Sequence, residues 1–255
     1  MANFIIAQPY SATITAASAA TSMPASNLNK MQPSDVWRST SLTSQYIEVD
    51  LGSAKAVTVV ALMFTNLTSA ATWQVQAGST TAYSNYDSTA VTAWAGATQN
   101  VDRPHAFLDL TAASQTYRYW KITLTDAANP AGYFEAGRVI LSNAFQGARN
   151  YSFGAGRGYK DMTVTKDAFA GQMIVEEKAK RPILSFEANF LTATEAEATI
   201  LELQRNLSGG VLAMQDPSAS TYRMGRMYYG RLSIEPVIAA AFNVFSTRFT
   251  IEGMI

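Results

Sequence analysis

Cysteine is absent from this 255-residue chain, and histidine occurs once, as His105. The first absence excludes disulfides, thiolate nucleophiles and thiolate metal centres; the second excludes a histidine cluster. Charge is scarce at 15% of residues and balanced at 19 basic against 19 acidic side chains, so no long-range field gathers nucleic acid or an anionic membrane. No apolar run approaches the roughly 18 to 20 residues that span a bilayer, and the opening "MANFIIAQPYSATITAASAA" lacks the basic start of a secretory signal. The chain is therefore expected to be made in the cytoplasm, with no membrane segment and no nucleic-acid-specific site.

What charge there is falls unevenly. Residues 1–145 hold 7 basic and 8 acidic side chains, and the shorter remainder holds 12 and 11. The first part is rich in Ala, Ser and Thr, and strand-like runs recur in it: Phe4 to Ala7, Tyr46 to Leu51, Val57 to Thr65, Trp73 to Ala77, His105 to Leu110, Tyr117 to Thr125 and Phe134 to Leu141. In "YIEVDL" the polar Tyr46, Glu48 and Asp50 alternate with Ile47, Val49 and Leu51, as a half-buried strand requires, and a turn is expected at Gly52 and Ser53. Short strands without intervening helices predict a β-sandwich jelly roll over 1–145.

A Gly-rich stretch follows, and a linker is placed at 146–159. Beyond it, strands are expected at Ile183 to Phe190, Val211 to Met214, Tyr222 to Ile234 and Asn243 to Glu252, around one helix, Thr192 to Leu207. Thr192 and Glu195 form a capping-box pattern, Ala196, Ile200, Leu203 and Leu207 a stripe, and Gly209 and Gly210 a stop. The fold class is thus mainly β: a jelly roll, then an α+β domain over 160–255, a barrel or sandwich with one flanking helix. Lys160 to Pro182 is long for a connector; it reads either as a hairpin reaching a neighbour or as one closing its own sheet.

Candidate chemistry is thin. Neither Glu48 with Asp50 nor Glu195 with Glu197 sits in an acid–base setting, and "GAGRGY" at Gly154 to Tyr159 lacks the lysine and the helix of a phosphate loop. No catalytic residue, metal site or cofactor is assigned, and the chain is read as not an enzyme. The stretch between Trp73 and Phe107 places Tyr83, Tyr86, Trp94, Arg103 and His105 among amides and hydroxyls. Aromatic faces stack on sugar C–H faces and polar groups read hydroxyls, so these five are the candidate ligand-binding residues. The competing reading is that the aromatics pin a loop to the sandwich.

The ordered set "ASNLNKMQPSDVWRSTSLTSQYIEVDLG", "YRYWKITLTD" and "YFEAGRVILSN" resembles the discoidin (coagulation-factor type C) family of galactose-binding-like jelly rolls, over roughly residues 3–145. That resemblance implies a binding module that meets its ligand through loops at one end of a barrel; the cysteine pair of many members is missing. From about Ala179 the pattern "RPILSFEANFLTATEAEATILELQRNLSGG…FTIEGMI" is similar to distal tail and minor tail proteins of long-tailed bacteriophages, with a tail-tube-like fold. It implies a structural protein of a virion tail tip or baseplate: a homo-oligomeric ring of six or three copies between tail tube and tip hub, whose jelly roll binds a cell-surface glycan or a neighbouring tail protein. The alternative is a free carbohydrate-binding, lectin-like module with an accessory C-terminal domain.

Overall fold

The computed structural model describes residues 3–98, 103–167, 172–207, 209–218 and 221–254. The chain divides into two compact units, one made of Met1–Gln146 with Met214–Met227, the other of Gly147–Ala213 with Tyr228–Ile255.

The first unit is a β-sandwich. Its strands are β1 (Ile5–Ala7), β2 (Thr13–Ala16), β3 (Trp37–Arg38), β4 (Gln45–Val57), β5 (Val59–Met63), β6 (Thr72–Gly78), β7 (Tyr86–Thr92), β8 (Ala106–Asp109), β9 (Gln115–Thr125), β10 (Glu135–Ala136), β11 (Arg138–Ser142) and β12 (Phe145–Gln146). One antiparallel sheet runs in the order β2-β4-β9-β6-β7 and the other in the order β11-β5-β8. Ile47 and Val49 of β4, Trp73 and Val75 of β6, and Trp120 and Ile122 of β9 share one core with Val60 and Leu62 of β5 and Val139 and Leu141 of β11. That core follows from the period-2 pattern, since every second residue of β4 turns inward while Tyr46, Glu48 and Asp50 stay half-buried outside.

Two expectations are corrected here. Gly52 and Ser53 do not end a strand: β4 runs on to Val57, with its register on β9 shifting between Asp50 and Lys55. Gly52 takes φ +75° and donates its N–H to the Asp50 carboxylate, so its glycine freedom makes a bulge instead of a turn. The stretch after Trp73 is not one long loop either, because Tyr86–Thr92 forms β7 on the edge of the sheet. Alternation fails there because five of its seven side chains are exposed.

Strand β5 explains its own sequence. All five of its residues, "VVALM", are buried, so both of its faces are covered and the run is apolar throughout. Its neighbour β8 contributes Phe107, and the Arg223 guanidinium from the late segment Met214–Met227 lies 5.7 Å above that ring.

The second unit holds β13 (Gly156–Lys160), β14 (Val164–Asp167), β15 (Met173–Glu176), β16 (Arg181–Leu191), β17 (Val211–Met214), β18 (Met227–Ile234), β19 (Ile238–Ala241) and β20 (Val244–Gly253); the first three residues of β17 and all but the first of β18 belong to it. Antiparallel pairing joins β13 to β16, β16 to β20, and β20 to both β18 and β19. At Gly230 and Gly253, register partners on β18 and β20, the backbones approach so closely that a Cβ on Gly230 would meet the Glu252 carbonyl oxygen at 2.0 Å. The expected linker 146–159 is in part strand, because β13 begins at Gly156, and the Ser152 N–H donates to the Glu187 carbonyl.

The helix forms where the capping box put it. Thr192 Oγ1 accepts from the Glu195 N–H, while Glu195 Oε2 accepts from the Thr192 N–H and hydroxyl. It opens as a π turn, Thr194–Ile200, and continues as α1, Leu201–Asn206. Of its stripe, Ala196 and Ile200 are buried and Leu203 and Leu207 half-buried. Strands β14 and β15 pair with each other and form a two-stranded sheet of their own.

Candidate functional site

The five residues singled out from sequence do not form one cluster. Tyr83 lies in the turn after β6 and Trp94 just past the end of β7, so the seven-residue length of that hairpin puts them at opposite ends, about 20 Å apart. Tyr83 is 9% exposed; burial and a hydrogen bond to Glu48 push its phenol up, and the Lys121 ammonium sits 5.7 Å from its ring. Tyr86 packs against the core with its ring 6.3 Å from Trp120. The Trp94 indole N–H donates to the Leu67 carbonyl at 3.0 Å, and its ring lies on the core. Each of these three aromatics thus has a contact that anchors it to the sandwich.

Arg103 and His105 stand together and hold one strained residue between them. Phe64, at the end of β5, has φ +56°, a left-handed conformation rare for a bulky side chain. Its N–H donates to His105 Nδ1 at 3.0 Å, and its carbonyl accepts from Arg103 Nη2 at 3.1 Å. The two rings meet edge to face at 5.0 Å, and the Arg103 guanidinium lies 5.5 Å from the Phe64 ring. Burial pushes the His105 imidazole down to about 4, with the Arg103 cation adding to the shift, so at neutral pH it is an uncharged acceptor.

Around this pair the loops of one end of the sandwich converge. Strands β3 and β10 oppose Arg38 to Glu135, and Arg38 Nη2 and Nε donate to Glu135 Oε2 at 2.7 and 3.1 Å. Arg103 Nη2 lies 3.7 Å from the other oxygen of that carboxylate, and Arg103 Nη1 donates to the Pro33 carbonyl. The Arg38 guanidinium stacks 4.1 Å above the Tyr133 ring. Asn66 fastens the segment from both sides, donating to the Tyr133 carbonyl and accepting from the Glu135 N–H. Gly137 lets the Pro33 loop come close, since a Cβ there would stand 2.6 Å from the Pro33 oxygen.

The side chains of Arg38, Arg103 and Glu135 remain 32%, 33% and 20% exposed, and Tyr133 is half-buried. The result is a fixed patch of two guanidinium groups, one carboxylate and one aromatic edge facing water. Such a patch donates and accepts hydrogen bonds at once, as vicinal hydroxyls require. Sequence reading missed Arg38, Tyr133 and Glu135, although "DVWRST" and "YFEAGR" each set a charge beside buried aromatic residues.

Other places offer less chemistry. A groove of about 490 Å³ in the second unit is lined by Leu201, Gln204, Leu207, Ile234, Pro236 and Val237, none of them ionisable. Among the described residues no group of three or more His, Asp or Glu side chains gathers as a metal site would need, and no helix is long and apolar enough to cross a membrane.

No family model matches this chain, and no curated protein matches it. Solved structures do match. They include the family 32 carbohydrate-binding module of Clostridium perfringens NanJ in complex with galactose, at 16% identity and a TM-score of 0.42, covering 54% of this chain and 98% of that one. The family 32 module of AlyQ in complex with 4,5-unsaturated mannuronic acid matches at 22% identity and a TM-score of 0.42, over 53% and 98% of the two chains. A Streptococcus pneumoniae fucose-binding module matches at 15% identity and a TM-score of 0.38, over 53% and 95%.

Proposed function

We propose that this protein is a non-catalytic saccharide-binding protein, and that the first unit takes its ligand at the loop end formed by Arg38, Arg103, Tyr133 and Glu135. The observation behind this reading is that four partly exposed side chains, from β3, β10 and the segments beside them, are held by one another and, for Arg103, by the Pro33 and Phe64 carbonyls, leaving polar groups beside an aromatic ring. Prearranged donors and acceptors lower the ordering cost that otherwise defeats weak sugar contacts. Arg103 and His105 keep a place in the account as residues that hold Phe64, while Tyr83, Tyr86 and Trp94 leave it. The test is binding of the full chain to a panel of immobilised polysaccharides, with Arg38→Ala and Tyr133→Ala as controls. Each substitution should weaken binding about tenfold with melting unchanged. Binding unaffected by both would remove the loop end as the site.

A second reading concerns the second unit, and one observation favours it: Met173, Ile174 and Val175 of the self-paired β14–β15 sheet are 66%, 56% and 48% exposed. A two-stranded ribbon is marginal alone in water, and consecutive apolar residues leave both of its faces uncovered. Copies of this chain associating through that ribbon would cover them. A ring of six or three copies in a virion tail tip is the form that the sequence resemblance suggests, and the tail role rests on that resemblance alone. Light scattering on the full chain and on Ile174→Asp tests the association: a multimer reduced to monomer supports it, and a monomeric parent chain refutes it.

A further inference from the structure

The chain as a whole is neutral, yet the loop end is not. Two guanidinium groups share the Glu135 carboxylate, Arg38 through two hydrogen bonds and Arg103 at 3.7 Å. The neighbouring loop adds nothing to either side, since Lys30 and Asp35 pair with each other at 3.1 Å. Asp126, which lies just past β9, is 4% exposed; its oxygens are occupied by Thr68 N–H and hydroxyl and by Asn129 Nδ2. His105 is uncharged at neutral pH. Among the described residues, the exposed patch thus sets two guanidinium groups against one carboxylate.

The excess sits on Arg103 more than on Arg38. Arg38 has short, doubled contacts to Glu135, and that bond raises its basicity. Arg103 spends two of its N–H groups on the Pro33 and Phe64 carbonyls, which are neutral, and burial pulls its guanidinium below the usual range with Glu135 offsetting only part of the effect. A half-buried cation in this position gains from an added anion, because attraction is less screened there than in open water. Planar guanidinium edges also match a carboxylate better than they match a hydroxyl.

We infer that the saccharide bound at this loop end carries a carboxylate, as a uronic acid does, with the acid group directed to Arg103 and the ring hydroxyls read by Glu135 and Arg38. This inference rests on the saccharide-binding reading above, and the experiment is arranged so that the two fail differently. The full chain is titrated by calorimetry, at low and high salt, with the methyl glycosides of galacturonic, glucuronic and mannuronic acid and of their neutral counterparts galactose, glucose and mannose. Each pair differs only in whether C6 is a carboxylate or a hydroxymethyl group.

At least one uronate should bind about tenfold more tightly than its neutral partner at low salt, and the gap should narrow at high salt and in Arg38→Gln, which leaves the Glu135 carboxylate to neutralise Arg103 alone. Salt dependence in the unaltered chain guards against a variant that misfolds. Neutral sugars that bind, with no uronate of the three tighter than its partner, overturn the carboxylate while leaving saccharide binding in place. Uronate binding that ignores both salt and Arg38→Gln overturns it as well, by putting the acid elsewhere. If no member of either series binds, the inference and the reading beneath it fall together.

Discussion

The two units differ in what they leave uncovered. Of the large apolar side chains exposed among the described residues, nine lie in the second unit, Phe153, Phe190 and Phe242 among them, whereas the longer first unit contributes only Val91 and Tyr222. The first unit closes its core on Trp37, Trp73 and Trp120, all within 1% of full burial, and turns polar side chains outward on its larger sheet. A closed sandwich needs nothing further and is free to present a loop-end site; a unit that leaves phenylalanines in water has surface still to cover. On the proposed reading, this difference in exposure is what divides recognition by one unit from association by the other.

The comparison breaks most visibly if its core is opened. Trp120→Ala should destabilise the first unit by about 3 to 5 kcal/mol, the transfer and cavity cost of a fully buried aromatic, while Phe242→Ser at 92% exposure should stay within about 0.5 kcal/mol. Chemical denaturation of both variants measures this contrast, and equal effects would erase it. Next in size is Gly230→Ala, which drives a Cβ into the Glu252 carbonyl and should cost about 3 kcal/mol in the second unit, since the atoms it would meet are all β20 backbone and cannot rotate away. Amide exchange should then rise in β18 and β20 and leave β4 and β9 unchanged.

These two predictions also show where sequence was legible. Local signals were: the Thr192–Glu195 box, the helix it starts and the alternation of β4 all lie within a few residues of their cause. Long-range causes were not. Nothing near β5 reveals that Arg223 comes to lie over its partner strand, and the Arg38–Glu135 pair spans 97 positions. Tyr83, Tyr86 and Trp94 read as a binding loop because an anchored aromatic and a sugar platform have the same composition; the Trp94 bond to Leu67 and the core contact of Tyr86 are anchors that composition alone does not reveal.

Acid sharpens the comparison more gently. His105 takes up a proton near pH 4 when folded and near 6.5 when unfolded, so the unfolded chain binds the proton first as pH falls. Its contribution to stability is complete above about pH 6.5 and is lost between there and about pH 4. A thermal melt of the first unit should drop over that window, and His105→Gln should flatten the slope; a slope unchanged in the variant would assign the acid loss to other groups. Smallest of all is the cost of Ile174→Asp to folding, expected within about 0.5 kcal/mol even as it abolishes association, because the side chain is already in water.

Amide hydrogen exchange of the full chain, with and without a bound saccharide, tests the division of labour most directly. Protection should rise at residues 64–67, 103–106 and 133–135 and leave the turn at 79–85 and the strands of the second unit as they were. Protection at 79–85, or in β14 and β15, with the loop end unmoved would contradict the account.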